Sequence, residues 1–264
     1  MTVVVDPTTS ATTPVPTPVS TPASGPVPDP VEADRRDRKV VLAATLRLFA
    51  RLGYEFGFNG HLTVRDPGSD DLFWANPWQV PFGRVRVSDL LLVEGSGEIV
   101  AGPPGAVVSG FASQHVLHSA RADAVAVVHV HSPAGFTWSS SPRVLEPLTT
   151  DAALLHGLQA VHEDFGRTGQ GRATTADSLG PTARLLIQRG HGFITVGRSL
   201  AEAAFYFIAA ERAAASALQL AAAGHGEPIE AALLPKWTLT PELAEQHYQP
   251  YLRQILHDEP DLLG

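Results

Sequence analysis

The sequence R-A-D-A-V-A-V-V-H-V-H-S occupies Arg121–Ser132 and holds the most informative strand of the chain. The small and β-branched residues ahead of the histidines predict a buried strand that Pro133 would end. His129 and His131 are two positions apart, so their side chains project from one face of that strand. Neutral imidazole nitrogens commonly bind zinc, iron and copper, which makes the pair a candidate metal site. The alternative is a half-buried strand whose histidines merely alternate with Val130.

A third histidine lies in similar surroundings. Residues 183–196 read A-R-L-L-I-Q-R-G-H-G-F-I-T-V, which predicts two short apolar strands separated by Gly-His-Gly. The glycines beside His191 allow a sharp turn and a close approach of the backbone. Together with His129 and His131, His191 would complete a set of three protein ligands that leaves coordination positions open, as in catalytic metal sites. The alternative is a tight hairpin with a solvent-facing His191.

Composition narrows the class of protein. A chain of 264 residues with 44% hydrophobic content is long enough for one α/β domain with an appendage. It has no cysteine, which excludes disulfides and thiolate metal sites. The net charge of −8 gives no reason to expect nucleic acid or an anionic membrane as a partner, and no apolar run has the length of a membrane span. We therefore expect a cytoplasmic protein.

The chain is predicted to consist of an N-terminal tail and a folded domain. Residues 1–32 are rich in Pro, Thr and Ser, and they predict a disordered tail because they contain too little apolar surface to offset the entropy of ordering. Residues 33–264 would form the folded domain, beginning with an amphipathic helix to about Leu52. Further predicted elements are a helix over Ser109–Arg121, a long Ala-rich helix from Ser199 to Ala223, and a continuation of the sheet over Gly135–Ser141 and Val144–Leu148.

Several motifs in this order resemble the class II aldolase/adducin family. They are N-G-H-L-T-V-R-D-P at 59–67, the histidine strand, R-G-H-G-F-I-T-V-G-R-S-L-A-E-A-A from Arg189, and E-P-D-L-L near the C-terminus. The resemblance covers residues 35–264. It implies an α/β fold, an α/β/α sandwich with a central, mostly antiparallel sheet, and assembly as a C4 homotetramer. It also implies one divalent metal ion held by His129, His131 and His191.

The chain departs from that family at the catalytic position. Family aldolases carry an acid/base Glu eleven residues before the Arg of the R-x-D motif, and the same count from Arg121 reaches Gly110. No carboxylate lies between Ser109 and Arg121, so ordinary aldol chemistry lacks its base. His115 and His118, on the predicted helix, and Tyr248, in the C-terminal region that reaches a neighbouring subunit in the family, are the candidates for moving protons. Structural roles are the alternative for all three.

The phosphate-binding turns of the family are also altered. Sugar-phosphate members hold phosphate with a G-N-x-S turn and a later T-x-S-G turn, whereas this chain has G-H-L-T and Q-V-P-F-G. A phosphate site needs converging backbone N–H groups and hydroxyls. Pro81 removes one such donor and Phe82 adds an apolar wall, so we expect an unphosphorylated small-molecule substrate.

Three functions agree with these features. The first is cleavage of a carbon–carbon bond of a 2-oxo or 2-hydroxy acid at a three-histidine metal, with Fe(II) favoured over Zn(II) or Mn(II) because O2 could then take part. In its composition, and in a pocket expected to take an unphosphorylated substrate, the chain is similar to the family's aminocoumarin-pathway branch. Enzymes of that branch oxidatively decarboxylate a prenylated hydroxyphenylpyruvate during antibiotic biosynthesis. The second is an ordinary divalent-metal retro-aldolase or epimerase with a relocated base. The third is a non-catalytic adducin-like module, which usually lacks the histidines.

The residues also predict a homo-oligomer, for which the resemblance implies a tetramer. The Ala-rich helix and the aromatic C-terminal region would expose more apolar surface than a monomer normally tolerates.

Overall fold

The computed structural model describes residues 29–164, 173–224 and 226–264. The predicted tail therefore lies outside the described residues up to position 28. Helix α1 begins at Pro30, a little earlier than expected, and Asp29 caps it by accepting a hydrogen bond from the Val31 N–H at 3.0 Å. The folded domain thus includes the last few residues that the composition assigned to the tail.

The described chain alternates short strands with helices of very different length. The helices are α1 Pro30–Arg51, α2 Phe111–Ala120, α3 Pro133–Ser139, α4 Thr150–Ala153, α5 Thr175–Leu179, α6 Leu200–Ala223 and α7 Pro241–Asp258. The strands are β1 Gly60–Arg65, β2 Leu72–Ala75, β3 Leu91–Glu94, β4 Ile99–Ala101, β5 Ala126–Val130, β6 Gln159–His162, β7 Leu185–Gln188 and β8 Gly192–Gly197. Among these described helices, none is both long and apolar enough to cross a membrane.

One eight-stranded sheet runs in the order β4-β3-β2-β1-β5-β8-β7-β6. Its neighbours pair antiparallel except for β6 and β7, which are parallel. The larger apolar core lies between one face of the sheet and α1, α3, α6 and α7, and a smaller core lies under α2 and α5 on the other face. The predicted α/β/α sandwich with a mostly antiparallel sheet is confirmed.

The central position of β5 follows from its composition. All five of its residues are buried, and it pairs with β1 on one side and β8 on the other. A strand covered by helices on both faces needs apolar side chains in both directions, which the run before His129 supplies. Helix α6 covers one face of this region. Ser199 caps it, and its N-terminal half is buried in the chain's own core.

Two predicted strand segments are wrong. Gly135–Ser141 lies largely in helix α3, and Val144–Leu148 has no strand structure. Pro133, interpreted only as the end of β5, occupies the first turn of α3, where a missing N–H costs nothing and the fixed φ favours a helix.

Asp66 ties α1 to the turn after β1. The residue is 2% exposed, and its carboxylate accepts hydrogen bonds from Arg35 Nε at 2.6 Å, Trp74 Nε1 at 2.8 Å and the Gly68 N–H at 2.8 Å. Burial by itself would raise the pKa of Asp66, but these donors outweigh it and lower the pKa to about 2. The ionised carboxylate is therefore part of the native fold.

We expect Asp66→Asn to lower the free energy of unfolding by about 2 kcal/mol, because the buried, charge-assisted hydrogen bonds of the Asp66 carboxylate are lost. Urea denaturation would measure the loss. The difference from wild type should be present above pH 4 and disappear as the pH falls toward 2, since the native pKa lies below the ordinary 3.8. Glu32→Gln is the matched control: Glu32 also pairs with Arg35 but its side chain is 62% exposed, so less than about 0.5 kcal/mol should be lost. Equal losses in the two variants would contradict the assignment.

Candidate metal centre

His129 is prepared for a ligand on its Nε2 side. Its Nδ1 lies 2.8 Å from the carbonyl oxygen of Phe193, and because a carbonyl only accepts, Nδ1 carries the proton. Nε2 therefore presents a lone pair. This atom is buried and has no hydrogen-bond partner among the described residues. A buried nitrogen with an unused lone pair is costly unless something binds it, so the site has the chemistry of a metal ligand.

His131 and His191 present nitrogens to the same point. Their Nε2 atoms lie 3.2 Å apart. Two imidazole nitrogens that each lie about 2.1 Å from one ion are separated by about 3.0–3.4 Å, depending on the angle at the ion. The Nδ1 of His191 is 3.3 Å from Gln188 Oε1, an acceptor that favours a proton on Nδ1 and leaves Nε2 as the unprotonated nitrogen.

The three histidines form one group. One nitrogen from each lies within 4.8 Å of the others. Burial lowers the pKa of His131, and burial followed by the charge of His131 lowers the pKa of His191 to about 4. Burial, His61 and His191 hold the pKa of His129 well below its usual range. All three imidazoles are therefore neutral at neutral pH, as a metal ligand must be, and the set fits one divalent ion.

A carboxylate of the long helix α6 supports the segment after His131. Glu211 is 6% exposed and accepts hydrogen bonds from Ser132 Oγ at 2.6 Å and from the N–H groups of Ala134 and Gly135 at 2.7 Å. Free N–H groups at a helix start favour a negative charge. Glu211 thereby fixes where β5 ends and α3 begins, and with it the position of His131. Its place in the site was missed because it is far away in sequence and lies in an Ala-rich helix.

The structure does not bring His115 or His118 into the three-histidine group. His118 is 1% exposed; its Nδ1 donates to the Ala124 carbonyl at 2.6 Å and its Nε2 lies 2.8 Å from Thr63 Oγ1. Burial lowers its pKa to about 3. His115 stacks on Phe111 at the surface. Both nitrogens of His118 are already used in joining α2 to the sheet, a structural role.

Tyr248 lies in the core between α1 and α7. It is 0% exposed, and its hydroxyl is 2.7 Å from Thr45 Oγ1 of the same chain. Burial raises its pKa. A hydroxyl in that position supports helix packing, and it has no route to a neighbouring subunit's site without unpacking α7.

An apolar cavity of about 250 Å³ adjoins His131. Gly53, Glu55, Phe56, His131, Pro133 and Phe136 line it. The ring of Phe136 lies 5.2 Å from the ring of His131, and Phe56 is 67% exposed at the rim. Neither phenylalanine lies in a motif, so neither could be recognised as a site residue from the sequence. His61 was not recognised either; its ring is 5.1 Å from that of His129, and burial, followed by the charges of His191 and His131, lowers its pKa to about 4.

Residues 40–218 match the class II aldolase and adducin N-terminal domain. The chain belongs to the class II aldolase and adducin family. The match spans most of the sheet and both histidine motifs, which agrees with the resemblance of the ordered motifs.

Two curated relatives within this family cover most of the chain. Decarboxylase NovR of Streptomyces niveus is 37% identical over 83% of this chain and 84% of its own length. The 4-hydroxy-3-prenylphenylpyruvate oxygenase/4-hydroxy-3-prenylbenzoate synthase of Streptomyces roseochromogenus subsp. oscitans is 36% identical over 83% of this chain and 82% of its own. Among solved structures, the L-fuculose 1-phosphate aldolase of Glaciozyma antarctica PI12 is 32% identical with a TM-score of 0.81, covering 90% of this chain and 96% of that one.

We expect His129→Ala, His131→Ala and His191→Ala each to abolish stoichiometric binding of a divalent metal, because two imidazoles alone hold an ion weakly. Metal content after desalting, measured by plasma mass spectrometry, tests this, and circular dichroism checks that the fold is kept. His156→Ala is the control, since His156 is exposed and outside the group. Full metal content in the three variants would show that the ligands lie elsewhere.

Proposed function

We propose that this family member is a metal-dependent enzyme that cleaves a carbon–carbon bond of an unphosphorylated aryl 2-oxo or 2-hydroxy acid. The favoured reaction is oxidative decarboxylation of a prenylated hydroxyphenylpyruvate-like acid. The convergence of His129, His131 and His191 next to an aromatic cavity carries the proposal. The names of the two Streptomyces relatives support it, since one is a decarboxylase and the other an oxygenase of such a substrate.

The walls of the cavity favour an aryl group. Phe56 and Phe136 present ring surface beside His131, and aromatic faces bind flat apolar groups well. An acid that binds at the three histidines through its carboxylate and 2-oxygen could place its aryl end in this cavity. The cavity would thus restrict the size and polarity of the substrate that binds at the metal site.

The turn that would hold phosphate is filled by a side chain. Phe82 is 1% exposed, and a Cβ built on Gly60 would lie 3.0 Å from its Cζ. A glycine turn that packs on a phenyl ring offers its N–H groups little room for an anion. This packing supports the unphosphorylated substrate.

A few residues of the candidate site would take part in this reaction. The Nε2 atoms of the three histidines would hold the ion, with the Phe193 carbonyl and Gln188 orienting two of the rings. A bound divalent ion would polarise the chelated acid, and iron would also allow O2 to react. The aromatic walls exclude water from the aryl end, and Gly110 leaves no carboxylate at the family's usual base position.

An ordinary retro-aldolase is the second candidate. It is favoured by Glu55, a carboxylate that lines the same cavity as His131 and whose Oε1 accepts the Phe82 N–H at 2.8 Å. The likeness to an L-fuculose 1-phosphate aldolase also agrees with it. In this reading Glu55 would be the relocated base.

Reconstitution of the metal-free protein under anaerobic conditions with Fe(II), Zn(II) or Mn(II) separates the two. We expect O2-dependent release of CO2 from aryl-pyruvates only with Fe(II), because only iron of these ions readily activates O2. Phenylpyruvate and a prenylated hydroxyphenylpyruvate are the test substrates, and pyruvate is the control without an aryl group. Turnover with Zn(II) that is indifferent to O2 and yields an aldehyde would establish the aldolase instead.

We also propose a homotetramer, but for a different reason from that of the sequence. The N-terminal half of α6 packs in the chain's own core, so it does not supply the expected surface. Exposed apolar residues lie instead at Phe56, which lines the cavity and is 67% exposed, at Phe58, 50% exposed, and at Trp237, 44% exposed, before α7. Side chains of this size at that exposure favour burial against another copy.

Light scattering at micromolar concentration should therefore give about 112 kDa, four times the 28.0 kDa chain. Phe58→Asp should lower the mass, since it would bury a charge in the interface. Val144→Asp, at a residue 48% exposed, is the control and should leave the mass unchanged. A wild-type monomer over the whole concentration range would refute the assembly.

A further inference from the structure

A fourth histidine stands beside the three candidate ligands. His61 on β1 pairs directly with His129 on β5, and paired residues of antiparallel strands project from the same face. Their ring centroids are 5.1 Å apart, comparable with the 4.6 Å between His129 and His191. His61 nevertheless lies outside the group whose nitrogens converge. It is therefore a neighbour of the centre and not a member of it.

His61 occupies the space that a side chain at position 110 would fill. A Cβ built on Gly110 would lie less than 3.0 Å from Cε1, Nδ1 and Nε2 of His61, which real Cβ atoms essentially never do. Gly110 is also the position at which the count from Arg121 places the family's acid/base Glu. A side chain at position 110 and the imidazole of His61 would thus overlap. Only one of the two can occupy this space beside the candidate metal centre.

The backbone around His61 is held from two sides. Gln114 Nε2 on α2 donates to the His61 carbonyl at 2.6 Å, and the Leu62 N–H donates to Asn76 Oδ1 at 2.8 Å. Neither ring nitrogen of His61 has a hydrogen-bond partner in the part of the chain that the structure describes. A half-buried imidazole whose backbone is fixed and whose ring nitrogens are not used by the protein is suited to contact a ligand that enters the site.

We propose that His61 is the substrate-contacting residue that replaces the carboxylate absent at position 110. A ring nitrogen of His61 hydrogen bonds to an oxygen of a carboxylate-bearing ligand bound in front of His129, His131 and His191. His61 is not a fourth metal ligand. The identity of that ligand as an aryl acid rests on the proposed function, whereas the contact itself does not.

Two kinds of variant test this contact. His61→Ala removes the ring, His61→Asn keeps a hydrogen-bonding group, and Gly110→Ala leaves His61 in the sequence but pushes its ring away. Gly105→Ala is the matched control, because Gly105 has nearly the same φ, +74° against +69°, and nothing within 4 Å of its Cβ position. Backbone strain is then equal in the two glycine variants, and only one displaces His61.

The readouts are metal content and the dissociation constants of oxalate and phenylpyruvate for the Zn(II)-loaded proteins, measured by anaerobic calorimetry. We expect full metal content in all four variants. Oxalate binding should weaken about tenfold in His61→Ala and Gly110→Ala, about 1.4 kcal/mol, recover in part in His61→Asn, and stay unchanged in Gly105→Ala.

Each contrary outcome has one meaning. Loss of metal in His61→Ala would make His61 a ligand and overturn the proposal, as would equal oxalate binding by wild type and His61→Ala, or no oxalate binding by wild type. His61-dependent binding of oxalate without any binding of phenylpyruvate would keep the contact and reject the aryl acid of the proposed function.

Discussion

The register of β5 between β1 and β8 is the constraint on which the candidate centre depends. It sets His129 opposite His61 on one side and brings the Phe193 carbonyl within 2.8 Å of Nδ1 on the other. A shift of one residue would turn His129 to the opposite face of the sheet, into the larger apolar core. The buried strand thus fixes both the direction of the imidazole and its tautomer.

Helices on both faces of the sheet also position the residues of the candidate centre. Glu211 on α6 holds the start of α3 and with it the end of β5, so that His131 reaches His191 across the β7–β8 turn. On the opposite face α2 brings Gly110 against His61. Helices of both outer layers therefore help to determine the geometry at the C-terminal end of β5.

Two features distinguish the surroundings of the candidate centre. Phe82 packs on the Gly60 turn, and phenyl rings border the cavity beside His131. Both features support the unphosphorylated aryl substrate of the proposed function.

The sequence by itself determined the main helices and strands and the three histidines of the candidate centre. Hydrophobic periodicity predicted α1, α2, α6 and the strands around the histidines, and the spacing of His129, His131 and His191 predicted a ligand set that the structure brings together. Local signals carry such information because strand periodicity acts over a few residues. The helical nature of α3 was missed although Pro133 signalled a helix start, since its decisive cap, Glu211, comes from a distant helix.

Only the tertiary structure decided which other polar side chains lie beside the candidate centre. His115 and His118 are close to β5 in sequence, yet α2 turns them toward Phe111 and Thr63. His61, far away in sequence, meets His129 because β1 pairs with β5. Strand pairing depends on burial and contacts across the whole chain, so sequence distance does not indicate which side chains meet.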